Sequence, residues 1–122
     1  EPVLDASHRI LAGVRSCDLK AIALLDRAQA AGMGDPHYRA RRDNTAIIGV
    51  ECLQPCDDRA FCQATRSLGH KQGADVYLTP VDGQLREQAQ FVVESLTPRG
   101  DDLVASAKLD ACPDAAALLN ER

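Results

Sequence analysis

Three cysteines, Cys52, Cys56 and Cys62, follow the β-branched run Ile47-Ile48-Gly49-Val50 at spacings C-x3-C and C-x5-C, and a fourth, Cys17, follows a second apolar run, Ile10-Leu11-Ala12-Gly13-Val14. Thiolates are ligands of zinc and of iron-sulfur clusters, so four sulfurs delivered by the ends of two strands define a candidate metal centre at Cys17, Cys52, Cys56 and Cys62. If the two strands are neighbours in a sheet, those ends lie roughly 5 to 10 Å apart. The spacing differs from the x2 spacing of zinc ribbons and bacterial ferredoxins, which leaves open a metal-free arrangement in which the thiols merely pack. Pro55 stiffens the loop just before Cys56, and Asp57, Asp58 and Arg59 make the connection to Cys62 a solvated one. Cys17 and Cys112 have a second reading as small buried hydrophobes, since free cysteine often packs that way.

Other chemistry has weaker support. His8, His37 and His70 are scattered, and none stands at a catalytic spacing from a carboxylate; His70, eight positions past Cys62, is the one able to approach a metal. A cysteine nucleophile would need a base that meets it in space, and no pattern supplies one. Arg15 and Lys20, with Arg39, Arg41 and Arg42, form a candidate anion site near the strand ends, because arginine grips phosphate and carboxylate through paired donors. A solvated basic loop is the simpler reading of the same residues. Gly69 and Gly73 are too sparse for a nucleotide loop, and neither GxGxxG nor a Walker sequence occurs.

The elements that would position these residues follow from pattern. The chain has 122 residues and 45% apolar content, which suits one domain with one core. Aromatic content is 3% with no Trp, so Leu, Val, Ile and Ala must fill that core and no base-stacking platform is present. A net charge of -4 also argues against nucleic acid, whose binding rests on a basic excess. No apolar run reaches the eighteen or so residues of a membrane helix, and no secretory signal stands at the start. Five cysteines without secretory marks favour metal or redox use over a disulfide framework. The first residue is not Met, and the chain reads as a piece of a larger protein.

A buried strand is predicted over residues 9–14, then a helix capped by Ser16 or Asp18 that runs to about Ala31 and stops at Gly32 and Gly34. Residues 35–44 read as a polar, turn-rich connection, and residues 45–50 as a strand, which completes a βαβ unit. In such units ligands gather at the carboxyl ends of the strands, where Cys17 and Cys52 fall. Residues 63–72 read as a short helix or a loop. An antiparallel hairpin follows, with strands over 75–81 and 89–96, a turn at Asp82-Gly83 and a looser loop over 84–88. Helices over 102–109 and 113–120 close the chain, the second with Pro113 in its first turn. The fold class is α/β, a single domain over residues 1–122 with a mixed sheet: a βαβ unit, an antiparallel hairpin and C-terminal helices.

These residues resemble the iron-sulfur beta subunits of cytoplasmic sulfhydrogenases and related nickel-iron hydrogenases, and the corresponding iron-sulfur subunits of anaerobic sulfite reductases. The resemblance is carried by Gly13-Val14-Arg15-Ser16-Cys17-Asp18-Leu19, Ala21-Ile22, Leu25-Asp26, Asp35-Pro36-His37-Tyr38, Arg41-Arg42-Asp43-Asn44, Ile47-Ile48-Gly49, Phe61-Cys62 and Gly73-Ala74-Asp75-Val76-Tyr77-Leu78-Thr79, in that order. Ser16 stands where the family usually has Pro, Glu51 where it has Asn, and Ala60 where many members have the first Cys of a Cys-Phe-Cys triplet. Residues 67–73 lack the family's Met-Gly-x-Gly-Pro. The sulfur of Cys56 would then make up for the missing one.

The resemblance implies an electron-transfer or subunit-docking domain of a cytoplasmic oxidoreductase complex, the part that precedes a ferredoxin-like 4Fe-4S dicluster region. No CxxCxxCxxxCP run occurs here, so those two clusters do not belong to these residues. Its implied cofactor is a 4Fe-4S iron-sulfur cluster on Cys17, Cys52, Cys56 and Cys62, with zinc as the alternative. The implied partners are the dicluster domain and a flavin or nickel-iron subunit; Arg15, Arg41 and Arg42 are the candidate cofactor-binding residues, and Arg15 with the Arg39 to Arg42 loop would meet an acidic or phosphate-bearing partner. Catalysis within the domain itself is not implied. The competing reading is a metal-free or zinc-stabilised interaction module with no redox role.

Overall fold

Two apolar strands at the start of the chain and two after its middle assemble into one sheet. The structure, a computed structural model, describes residues 3–81 and 89–120. Its elements in order are β1 (Arg9–Arg15), α1 (Ser16–Ala31), α2 (Pro36–Asp43), β2 (Thr45–Val50), β3 (Val76–Pro80), β4 (Phe91–Ser95), α3 (Pro98–Ala107) and α4 (Ala115–Asn120). The four-stranded sheet has the order β1-β2-β3-β4. β1, β2 and β3 run parallel, and β4 is antiparallel to β3, so the sheet is mixed as the patterning predicts. The expected turn at Asp82-Gly83 and the loop over 84–88 lie outside the described residues.

α1 packs its apolar stripe on one face of the sheet. Leu19 and Ile22 join Val14, Ile47, Ala74 and Tyr77 in the core cluster, with Leu19, Ile47 and Tyr77 essentially without solvent contact. The close approach depends on Gly49. A Cβ there would lie 2.9 Å from Leu19 Cδ1 and 2.9 Å from Tyr77 Cδ2, nearer than side-chain carbons approach. A glycine in the middle of β2 therefore lets the first turn of α1 settle over the strand ends. Beside it, the buried hydroxyls of Ser16 and Tyr77 hydrogen-bond at 2.9 Å.

Three elements differ from the sequence expectation. β1 is not a buried strand: every residue except Val14 is exposed, Ile10 at 59% and Leu11 at 46%, because β1 ends the sheet and lacks a neighbour on its outer side. The stretch read as a polar connection contains α2, a helix whose N-terminus is capped by the Asp35 carboxylate, accepting from His37 N–H at 2.8 Å, with Pro36 in its first turn. α3 begins earlier than expected, where Thr97 Oγ1 accepts from Gly100 N–H at 3.1 Å.

β2 and β3 are joined by residues 51–75, which hold no helix or strand. Parallel neighbours are usually joined through a helix, and a long connection without one is uncommon unless it carries function. The loop is tied at both ends: Glu51 N–H donates to Leu78 carbonyl at 2.9 Å, and Asp75 N–H to Ile47 carbonyl at 2.8 Å. Asp75 also fastens three elements, its Oδ2 accepting from Ile47 N–H at 2.8 Å and its Oδ1 from the Thr97 hydroxyl at 2.7 Å. Its backbone carbonyl occupies the space that a Cβ on Gly100 would need, so only glycine fits the start of α3. Among the described residues no helix is long and apolar enough to cross a membrane.

Candidate functional site

Sheet register brings the first and second cysteine to one edge. Arg15, the last residue of β1, is paired with Val50, the last of β2. Two positions on along each chain segment stand Cys17, in the first turn of α1, and Cys52, at the start of the 51–75 loop. Cys17 is exposed and Cys52 half-buried. Arg15 Nη1 lies 3.6 Å from Cys52 Sγ, a hydrogen bond of the length sulfur allows. That bond holds the guanidinium more firmly protonated; the charges of Cys52, Cys56 and Cys17 act in the same direction, against a desolvation that opposes them. Of the four sulfurs named from the sequence, that of Cys52 is in contact with Arg15.

The Cys17 thiol is pushed up from its usual range, first by partial desolvation of the sulfur and then by the Asp18 carboxylate. Backbone N–H groups of Asp18 and of Cys17 itself pull the other way, and the nearby Cys52 sulfur raises it further. Those N–H groups belong to the first turn of α1, whose N-terminus has no side-chain cap. An uncapped helix start favours negative charge beside it. Arg15 and the helix start therefore give the edge a positive character toward the sulfurs.

Cys62 sits on the far limb of the loop. Its carbonyl accepts from Ser67 N–H at 2.9 Å and from Ser67 Oγ at 3.3 Å, and Ser67 is buried. Lys20 of α1 reaches over to this limb, donating to the carbonyls of Thr65 and, at 3.2 Å, Arg66. Among the described residues no three of His, Cys, Asp and Glu stand in a ligating arrangement. The thiols of Cys52, Cys56 and Cys62 lie on the irregular 51–75 loop and that of Cys17 in the first turn of α1. His70, the remaining candidate, is half-buried with an Nε2 that has no partner among the described residues. Cys112 is exposed, so neither it nor Cys17 is the buried apolar side chain that the packing alternative requires.

The basic residues expected to act together are divided. Arg15 and Lys20 serve the sulfur edge, whereas Arg41 and Arg42 belong to α2, which leads into the opposite end of β2. Arg42 Nε pairs with Asp26 at 3.1 Å, and Tyr38 donates its hydroxyl to the same carboxylate at 2.6 Å. Arg41 is exposed, its carbonyl accepting from the Thr45 hydroxyl at 2.7 Å. Asp26, Tyr38, Arg39, Arg42 and Arg99 line a cleft of about 620 Å³ at that end. Most of its polar groups are engaged: Arg99 donates to the carbonyls of Asp43 at 2.7 Å and Thr45 at 3.1 Å.

Sequence reasoning took Ser16 or Asp18 for the cap of α1, but that helix start has no side-chain cap and the Ser16 hydroxyl bonds Tyr77 instead; Tyr77 and Asp75 were given no role. Tyr77 underlies the sulfur edge, its phenol pushed up by burial, with Glu51, Cys52 and Glu94 acting in the same direction and the Ser16 hydrogen bond opposing them. Lys71 Nζ stands 5.1 Å from the centre of its ring and 2.7 Å from Glu94 Oε2. A tyrosine in mid-strand, one of only two in the chain, was the available signal.

Subunit beta of sulfhydrogenase 2 from Pyrococcus furiosus is 35% identical to the chain over 69 residues, covering 57% of this chain and 20% of that protein. The chain is thereby related to that protein, of whose length it spans about a fifth. No family model matches the chain, and no solved structure matches it.

Proposed function

We propose that the chain is an electron-transfer or subunit-docking domain of an oxidoreductase complex of the hydrogenase or sulfite-reductase type. Cys17, Cys52, Cys56 and Cys62 would hold an iron-sulfur cluster at the carboxyl edge of β1 and β2. The observation that carries this reading is the register of β1 with β2, by which Cys17 and Cys52 follow the paired strand ends Arg15 and Val50, with Arg15 hydrogen-bonded to Cys52 Sγ. The relation to a sulfhydrogenase beta subunit supports it independently. A bound cluster supplies one-electron chemistry without group transfer, so the chain's own residues need only hold, orient and shield it. Arg15 donates to the Cys52 sulfur, a hydrogen bond of the kind that orients and tunes a sulfur-ligated centre. Lys20 fixes the limb that carries Cys62, and the Ser16–Tyr77 pair fixes α1 against the sheet beneath. Partners would be the remaining parts of such a complex, a ferredoxin-like dicluster domain and a flavin or nickel-iron subunit.

Anaerobic purification followed by iron, acid-labile sulfide and zinc analysis tests the reading. Iron and sulfide in matching amounts, lost on Cys52→Ser with Cys56→Ser, are the expected result. Zinc without sulfide would make the domain a zinc-stabilised module. A folded chain with none of the three would leave a metal-free interaction module, in which the same double substitution costs little stability.

A further inference from the structure

The cleft at the end of the sheet opposite the cysteines is walled by three helices that are fastened in place. α1 is tied to α2, since Asp26 accepts from the Tyr38 hydroxyl at 2.6 Å and from Arg42 Nε at 3.1 Å, and Gln29 Oε1 accepts from Asp35 N–H at 2.8 Å. Arg99 ties the start of α3 to the junction of α2 with β2 by donating to the carbonyls of Asp43 and Thr45. At the corner between α1 and α2, a Cβ on Gly34 would lie 2.6 Å from the Gln29 carbonyl oxygen, so glycine lets that wall close. The result is a preformed cleft of about 620 Å³, a size typical of small-molecule sites.

What this cleft offers a ligand depends on which of its charged groups are already occupied. Four carboxylates and three guanidinium groups line it. Asp26 is neutralised by Arg42, both oxygens of Asp75 accept from Ile47 N–H and the Thr97 hydroxyl, and Asp35 accepts from His37 N–H. Arg39 is exposed, and among the described residues its guanidinium has no partner. Arg99 meets only backbone carbonyls, which leave its charge uncompensated. Asp43 is the one lining carboxylate that has no partner among the described residues. Every N–H of Arg39 and the remaining ones of Arg99 thus stand against one unoccupied carboxylate. We propose that the cleft binds a small molecule bearing a phosphate or carboxylate, held by Arg39 and Arg99, with Asp43 opposing a bare anion. Guanidinium groups grip such oxyanions through paired, charge-assisted donors. Binding here is independent of any centre on the cysteines.

Calorimetric titration of the full chain at low ionic strength, with pyrophosphate, citrate and the polycation spermidine as probes, tests this assignment. Expected is saturable one-to-one binding of at least one of the two anions. Arg39→Gln should weaken it about tenfold or more, the effect of losing a hydrogen bond to a charged group, and Arg39→Lys, which keeps the charge without the paired donors, should weaken it less. Asp43→Asn should tighten it, and Arg41→Gln, on the same helix but outside the cleft lining, should leave it unchanged. Pyrophosphate bound without citrate assigns the site to phosphate compounds, and the reverse assigns it to carboxylates. No saturable binding of either anion overturns the proposal. Equal weakening by Arg39→Gln and Arg41→Gln also overturns it, because binding would then belong to the basic surface of α2 in general. Preference for spermidine does the same, since the carboxylates would then dominate the cleft. Circular dichroism checks that each variant is folded, and Arg39, exposed and without a partner among the described residues, makes no contact that its replacement would remove.

Discussion

Ser16 and Tyr77 satisfy each other where neither could reach water: both are essentially fully buried, and their oxygens lie 2.9 Å apart. Removing one partner strands the other, which costs about 1–3 kcal/mol for a buried hydroxyl, whereas removing both costs less than the sum. Urea unfolding of Ser16→Ala, Tyr77→Phe and the double variant is expected to give such a coupling, and strict additivity would show that the pair is not formed. A second tyrosine carries a pH signature. Burial, with the hydrogen bond to Asp26 and its negative charge, pushes the Tyr38 phenol from the usual 10.0 up to about 12, against the opposing Arg42. The folded state therefore keeps its proton while the unfolded chain has begun to lose it. The resulting stability is fully present below pH 10 and declines as pH rises through about 12. Relative to Tyr38→Phe, the unsubstituted protein is expected to lose stability across that window, and parallel pH curves would contradict this. The candidate cysteines stood out in the sequence because cysteine after a β-branched run is a conspicuous pattern. The Ser16–Tyr77 pair did not, because two common polar residues sixty-one positions apart carry no local signal.

At the scale of elements, what could be read depended on whether burial was written into periodicity. β2 stands in the structure with the bounds that its apolar run gave, and α1 stops at the glycine that ends its stripe. α2 was missed because it has no buried residue and so no apolar stripe; its marks were the Asp35 cap and Pro36, which also fit a turn. β1 was misjudged because an apolar edge strand and an apolar central strand have the same composition, and only the sheet order separates them. Asp75 belongs to this scale, since it joins β2, the start of β3 and the cap of α3 through separate oxygens. Asp75→Ala would leave the Ile47 N–H without its acceptor and the Thr97 hydroxyl without its own. The expected loss is about 2–4 kcal/mol, from two unmade hydrogen bonds of which one is to a buried backbone donor. Asp75→Asn keeps one acceptor oxygen and is expected to recover part of it. Equal unfolding midpoints for Asp75→Ala and the unsubstituted protein would mean that this junction does not hold the sheet together.

For the molecule as a whole, the mixed α/β sheet is the platform and residues 51–75 are a long connection without helix or strand. The platform's core lies between α1 and the central strands, whereas the loop contributes to burial chiefly at Ser67 and at Ala74-Asp75. Three of the four candidate sulfurs, Cys52, Cys56 and Cys62, belong to this loop, so a cluster that took all four would restrain both its limbs at once. Binding to the native state alone stabilises by mass action, and the gain should appear where opening is now easiest. Arg59 and Arg66 are exposed trypsin sites within the loop, and Arg27 and Arg39 are exposed sites outside it. Reconstitution with iron and sulfide is therefore expected to slow cleavage after Arg59 and Arg66 several-fold while leaving cleavage after Arg27 and Arg39 nearly unchanged. Protection of all four alike would indicate global stabilisation with no special role for the loop. Unchanged cleavage throughout, in protein shown to carry iron, would place the metal away from residues 51–75 and so away from Cys52, Cys56 and Cys62.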